Sequence, residues 1–108
     1  MIDRARAVAE QCTDGVVLVV PAADAEREGG VAGGATRSES VRAGLAAVPA
    51  DAGIVCVHDA ARPLASAALY ARVIDAVRAG AGGAIPGVPG TAPIKVVDRQ
   101  GVVEDTPD

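Results

Sequence analysis

Apolar residues in this chain come either in short unbroken runs or in helical stripes. Val16-Val17-Leu18-Val19-Val20 is the strongest run, and Pro21 ends it. Ile54-Val55-Cys56-Val57 is a second run, short and β-branched. Continuous apolar runs of this length predict strands buried on both faces, as in a parallel sheet. Val31-Ala32 is a shorter strand leading into the Gly33-Gly34 turn. Between the runs the period changes to that of a helix. Asp3–Gln11 places Ala5, Val8 and Ala9 on one side. Val41, Leu45 and Val48 follow at i, i+4 and i+7, behind a Thr36–Glu39 capping-box pattern. Ser66–Ala79 carries Tyr70, Val73, Ile74 and Val77 as a stripe, with Arg78 in the last turn and Gly80 as the stop.

Residues 22–30 form a polar connection without a clear period. Gly83–Pro89 contains two prolines and predicts an irregular or edge strand. Ile94–Val97 and Val102–Glu104 flank Asp98-Arg99-Gln100-Gly101, a four-residue hairpin signal. Strands alternating with helices predict an α/β fold whose parallel sheet is covered on both faces.

Composition tempers this picture. Half of the 108 residues are hydrophobic, but alanine supplies nearly half of those and Tyr70 is the one aromatic side chain. An alanine methyl adds little beside the ~1.5–3 kcal/mol of a fully buried Val or Leu. The core must rest on Val, Leu and Ile, and a marginal fold is expected. The net charge of −4 argues against nucleic acid or an anionic membrane as partner. No apolar run is long enough for a membrane span, and the N-terminus lacks a signal-peptide layout. Cys12 and Cys56 have no metal-ligand spacing, which leaves two reduced structural thiols. These features together predict a cytoplasmic protein.

The candidate chemistry sits where the apolar runs end. His58, Asp59 and Arg62 follow the second run, where an open α/β sheet places its ligands. Asp59 suits Mg²⁺ or a ligand hydroxyl, and equally the cap of the following turn. Arg62 suits a phosphate clamp, and equally a salt bridge to Asp59 three residues away. His58, the single histidine, is expected to make a structural hydrogen bond. Gly33-Gly34-Ala35-Thr36-Arg37 precedes a helix N-terminus, where free amides meet an anion or a base edge, or form an ordinary turn. Neither GxGxxG nor a Walker A sequence is present. Lys95, near Thr91, is either a site residue or a solvated edge lysine.

Two stretches taken together are more specific. The segment from Gly33 to Leu45, GGATRSESVRAGL, followed by the segment from Val57 to Pro63, VHDAARP, resembles the 2-C-methyl-D-erythritol 4-phosphate cytidylyltransferase family. Residues 89–107 are also similar to the strand pair that projects in that family as a dimerisation arm. The resemblance implies a Rossmann-like nucleotidyltransferase fold with a three-layer sheet, residues 1–90 forming a partial nucleotide-binding core and 91–108 the start of the arm. It implies an enzyme that joins CMP from CTP to methylerythritol phosphate with Mg²⁺ and releases pyrophosphate. Gly34, Ala35 and Ser40 then fall where cytosine is read. Asp59 falls where the ribose and the methylerythritol are held, Ala60 among the nucleotide-binding residues, and Arg62 on the substrate side; Asp59 and Arg62 are the catalytic candidates. A homodimer through the arm is implied as well.

The sequence departs from the family pattern in places. It begins after the Gly-rich triphosphate loop and stops before the later arm residues, so it is expected to be truncated at both ends and inactive alone. Pro93 stands where family members carry a threonine, and Ala35 replaces a common acid. A non-catalytic remnant, binding nucleotide or oligomerising, is the alternative.

Overall fold

In the computed structural model, described here for residues 1–107, the α/β class holds. Helix α1 spans Ile2–Cys12, strand β1 Val19–Val20, helix α2 Ala25–Glu28 and strand β2 Val31–Ala32. Helix α3 spans Arg37–Ala46, helix α4 Ala67–Arg78, strand β3 Val96–Val97 and strand β4 Val103–Asp105. A turn of 3₁₀ helix, Ala22–Asp24, runs into α2, so the connection expected to be irregular carries helical structure.

The strands form two separate pairs. β1 and β2 are parallel, with Val19 opposite Val31 and Val20 opposite Ala32. β3 and β4 are antiparallel, with an irregular register between Val96 and Val97. The expectation for Ile54–Val57 is corrected. It joins neither ladder, and Val55 and Val57 are 45% and 56% exposed. Ile54, Cys56 and His58 are half-buried, so the segment shows the two-residue alternation of a strand with one covered face. A β-branched run becomes a ladder only where a neighbouring strand offers amides and carbonyls, and among the described residues no strand pairs with this segment. Val16–Leu18 likewise precedes the β1 ladder rather than joining it.

Two small packing units result. α1 lies against α4, and α3 lies against β1 and β2. Ala5, Val20 and Tyr70 are the buried apolar residues among those described. The radius of gyration is 17.4 Å, against about 13 Å for a compact chain near this length. The α4 stripe is as the sequence predicts, with Tyr70 buried and Val73, Ile74 and Val77 half-buried. Gly80 closes α4 at φ +112°, and Gly101 closes the β3–β4 turn at φ +85°.

The α3 stripe is corrected at one position. Leu45 is 47% exposed, and its neighbour Gly44 is buried in its place. A Cβ at Gly44 would stand 2.8 Å from Val19 Cγ2. The missing side chain lets the helix backbone sit directly on β1, which turns Leu45 outward.

Candidate functional site

The site is built from two turns, and the first is assembled locally. Thr36 caps α3: its Oγ1 accepts from the Glu39 amide at 3.2 Å, and Glu39 Oε2 accepts from the Thr36 amide at 2.9 Å. This reciprocal box satisfies two donors and leaves the first-turn amides of Arg37 and Ser38 without intrahelical partners. Ser40 ties the preceding turn to the helix. Its Oγ accepts from the Gly34 amide at 3.1 Å and donates to the Thr36 carbonyl at 3.0 Å. Glycine is required at position 34, because any Cβ there would overlap the Cβ of Glu39.

The second turn follows the 54–57 segment. The Arg62 amide donates to the Asp59 carbonyl at 2.9 Å. His58 Nε2 donates to the Arg62 carbonyl at 3.1 Å, so the histidine makes the structural bond its position implies. Its ring also rests beside Tyr70, with centroids 5.8 Å apart. That contact fixes the second turn against the α1–α4 pair. Ala60 is half-buried within it.

One ion pair joins the turns. Arg37, the first residue of α3, donates from its terminal guanidinium nitrogen to Asp59 Oδ1 at 3.1 Å. The partners are 22 residues apart, whereas the other ion pairs among the described residues lie within one helical turn. The alternative in which Asp59 pairs with Arg62 is therefore not taken up. Among the described residues, Arg62 has no carboxylate partner. Sequence reasoning named Asp59 and Arg62 but passed over Arg37, because nothing in residue spacing marks a partner 22 positions away.

Gly34 is bonded to Ser40, Arg37 of the same helix reaches Asp59, and Asp59 holds the Arg62 amide; Gly34, Ala35, Asp59 and Arg62 are exposed, whereas Ser40 and Ala60 are half-buried. The two grooves of about 320 and 300 Å³ lie elsewhere, on two faces of α4. Among the described residues no cluster of three or more His, Cys, Asp or Glu forms a ready metal cage. Lys95 Nζ donates to Thr106 Oγ1 at 2.8 Å, so it is tied across the β3–β4 hairpin rather than to the two turns.

The two thiols are free and half-buried, and Cys56 does not lie in a fully buried strand. Burial raises the Cys56 thiol above its usual range, with Cys12 adding to the effect. Burial raises the Tyr70 phenol too, with lesser contributions from Cys56 and Cys12. The Tyr70 hydroxyl is buried without a hydrogen-bond partner. No helix among the described residues is long and apolar enough to cross a membrane.

The part of the chain that matches known proteins includes both turns. The family model described as IspD, 2-C-methyl-D-erythritol 4-phosphate cytidylyltransferase, matches residues 26–108. A 2-C-methyl-D-erythritol 4-phosphate cytidylyltransferase of Nocardia farcinica is 45% identical over 94% of this chain and 43% of its own length. A bifunctional enzyme IspD/IspF of Oleidesulfovibrio alaskensis is 43% identical over the whole chain and 25% of its own length. A Rhodococcus jostii relative of the first name is 53% identical over 72% of the chain and 34% of its own length. The chain spans less than half the length of each of these relatives. With a family model matched over more than three-quarters of its residues, the chain belongs to the 2-C-methyl-D-erythritol 4-phosphate cytidylyltransferase family.

Proposed function

We propose that this chain serves in the transfer of CMP from CTP to 2-C-methyl-D-erythritol 4-phosphate, with release of pyrophosphate, in non-mevalonate isoprenoid biosynthesis. The observation that carries the reading is the Arg37–Asp59 bridge, which holds the two family-matching turns together while Arg62 stays without a carboxylate partner. Cytosine is read along Gly34, Ala35 and Ser40, where backbone groups and one hydroxyl give a polar edge with little bulk. Asp59 accepts hydrogen bonds from sugar hydroxyls, of the ribose and of the methylerythritol, and Ala60 allows the sugar to approach. Arg62 presents planar donors to the methylerythritol phosphate.

Chemically, the reaction is an in-line attack by one phosphate oxygen on the α-phosphorus of CTP. Positioning and charge stabilisation dominate such catalysis. Mg²⁺ fits this donor set only as a passenger of the triphosphate, since Asp59 is engaged by Arg37 and Glu39 by the Thr36 cap, and Mg²⁺ is commonly held by one or two carboxylates plus phosphates. When bound, it neutralises the phosphate charge that builds during transfer.

Residues 1–90 form the nucleotide-binding part, and residues 91–108 begin an arm that pairs with a second copy. A non-catalytic, oligomerising module is the second reading. It is favoured by the β3–β4 hairpin, whose Val96, Val97, Val102 and Val103 are 43–61% exposed.

Thermal unfolding with CTP and Mg²⁺ separates these readings. Binding to the folded state at 100 times Kd stabilises by about 2.7 kcal/mol. CTP raising Tm by several degrees, with ATP inert, supports the cytidylyl reading. An unchanged Tm at millimolar CTP overturns it.

A further inference from the structure

We infer that Arg37 is the positioning residue of the site: its guanidinium holds the Asp59 carboxylate, so that the Gly34 turn and the 58–62 turn behave as one unit. This inference rests on the nucleotide reading above and deepens it. The structure gives a continuous polar chain. Gly34 is tied to Ser40, Ser40 to Thr36, and Thr36 to Glu39. Arg37 opens the same helix and reaches Asp59, whose carbonyl receives the Arg62 amide, and the Arg62 carbonyl receives His58. Remove the Arg37–Asp59 link and this polar chain divides in two, the first part tied to α3 and the second to the His58–Tyr70 contact.

Two properties make Arg37 a positioning group rather than a surface decoration. Its backbone is fixed by the capping box of its own helix, so the guanidinium starts from a rigid base. It also binds Asp59 through one oxygen, Oδ1, which leaves the carboxylate an oxygen for a ligand. Both side chains are open to water, at 69% and 50% exposure, so the link is modest and weakened by salt.

The test combines two readouts on the full chain. In the first, CTP affinity with Mg²⁺ is measured for wild type, Arg37→Ala, Arg37→Lys, Asp59→Asn and Arg37→Ala/Asp59→Asn. Arg37→Ala is expected to weaken CTP about two- to fivefold, Arg37→Lys to restore most of it, and the double variant to bind no worse than Asp59→Asn. Additive losses, or no loss in Arg37→Ala, would overturn the inference. In the second, amide exchange at Arg62 is followed without nucleotide. Arg37→Ala is expected to speed it about two- to fivefold at low salt, with the difference shrinking at high salt. Unchanged exchange overturns the inference. If wild type binds no CTP, the proposed function fails while the exchange measurement still judges Arg37.

Discussion

The segments from Val31 to Arg62 and from Ile85 to Thr106 are both rich in valine and isoleucine, yet they meet different fates. In the first, side-chain hydrogen bonds fix the backbone at each turn, and one ion pair joins turns 22 residues apart. In the second, Asp98 Oδ1 gathers the amides of Gln100 and Val102 to make a tight turn, and Lys95 reaches Thr106. The apolar side chains around that turn stay open to solvent, with Ile94 70% and Val102 61% exposed. Polar groups at a turn can set local shape in either region. Burial needs a second surface, and α3 finds one on β1 and β2 while the hairpin finds none within the described chain.

If burial rather than local shape holds the molecule together, the largest effect should come from the bulkiest buried side chain. Tyr70→Ala is expected to cost about 3 kcal/mol or more, enough to unfold a chain with so small a core. Tyr70→Phe sharpens the point. It removes a buried hydroxyl that lacks a partner, so urea unfolding should show equal or greater stability, by up to about 1 kcal/mol. A clear loss in Tyr70→Phe would show that the hydroxyl is hydrogen-bonded in solution.

Capping comes next. Thr36→Ala removes the acceptor for the Glu39 amide and should cost about 1 kcal/mol by urea unfolding. In the hairpin, Asp98→Ala should leave global stability within about 0.5 kcal/mol, because it touches no buried side chain. Equal effects at the two positions would dissolve the contrast between the regions.

A smaller effect follows pH. The Cys56 thiol and the Tyr70 phenol are both raised in the folded state, from ordinary values of 9.0 and 10.0. The folded state therefore holds these protons more tightly than the unfolded one. That stability is fully present below the ordinary values and is lost as pH rises through the raised ones. The Tm of wild type should fall above about pH 9 more steeply than that of Cys56→Ala/Tyr70→Phe. Parallel curves would contradict the burial of these groups.

The contrast also explains what the sequence could reveal. The capping box at Thr36–Glu39, the stop at Gly80 and the turn at Asp98–Gly101 were legible because each is decided within a few residues. The α4 stripe was legible because its period repeats over three turns. Ile54–Val57 was misread because its β-branched residues state a preference, while a ladder depends on neighbours elsewhere in the chain. Leu45 was misread because apolar spacing ignores what a small residue permits: Gly44 lets α3 settle on Val19 through its backbone. Of the candidate site, Asp59 and Arg62 stand out in the sequence by their place after an apolar run. Arg37, which joins them to Gly34 and Ser40, carries no signal in local spacing.

On the proposed reading, the Gly34–Ser40 turn and the Asp59–Arg62 turn form one nucleotide site. Titration of the isotopically labelled chain with CTP and Mg²⁺, followed by amide NMR, tests it most directly. The amides of Gly34, Ala35 and Ser40 and those of Asp59, Ala60 and Arg62 should shift together with a single Kd. Shifts confined to one turn, or two turns titrating with different Kd values, would contradict it.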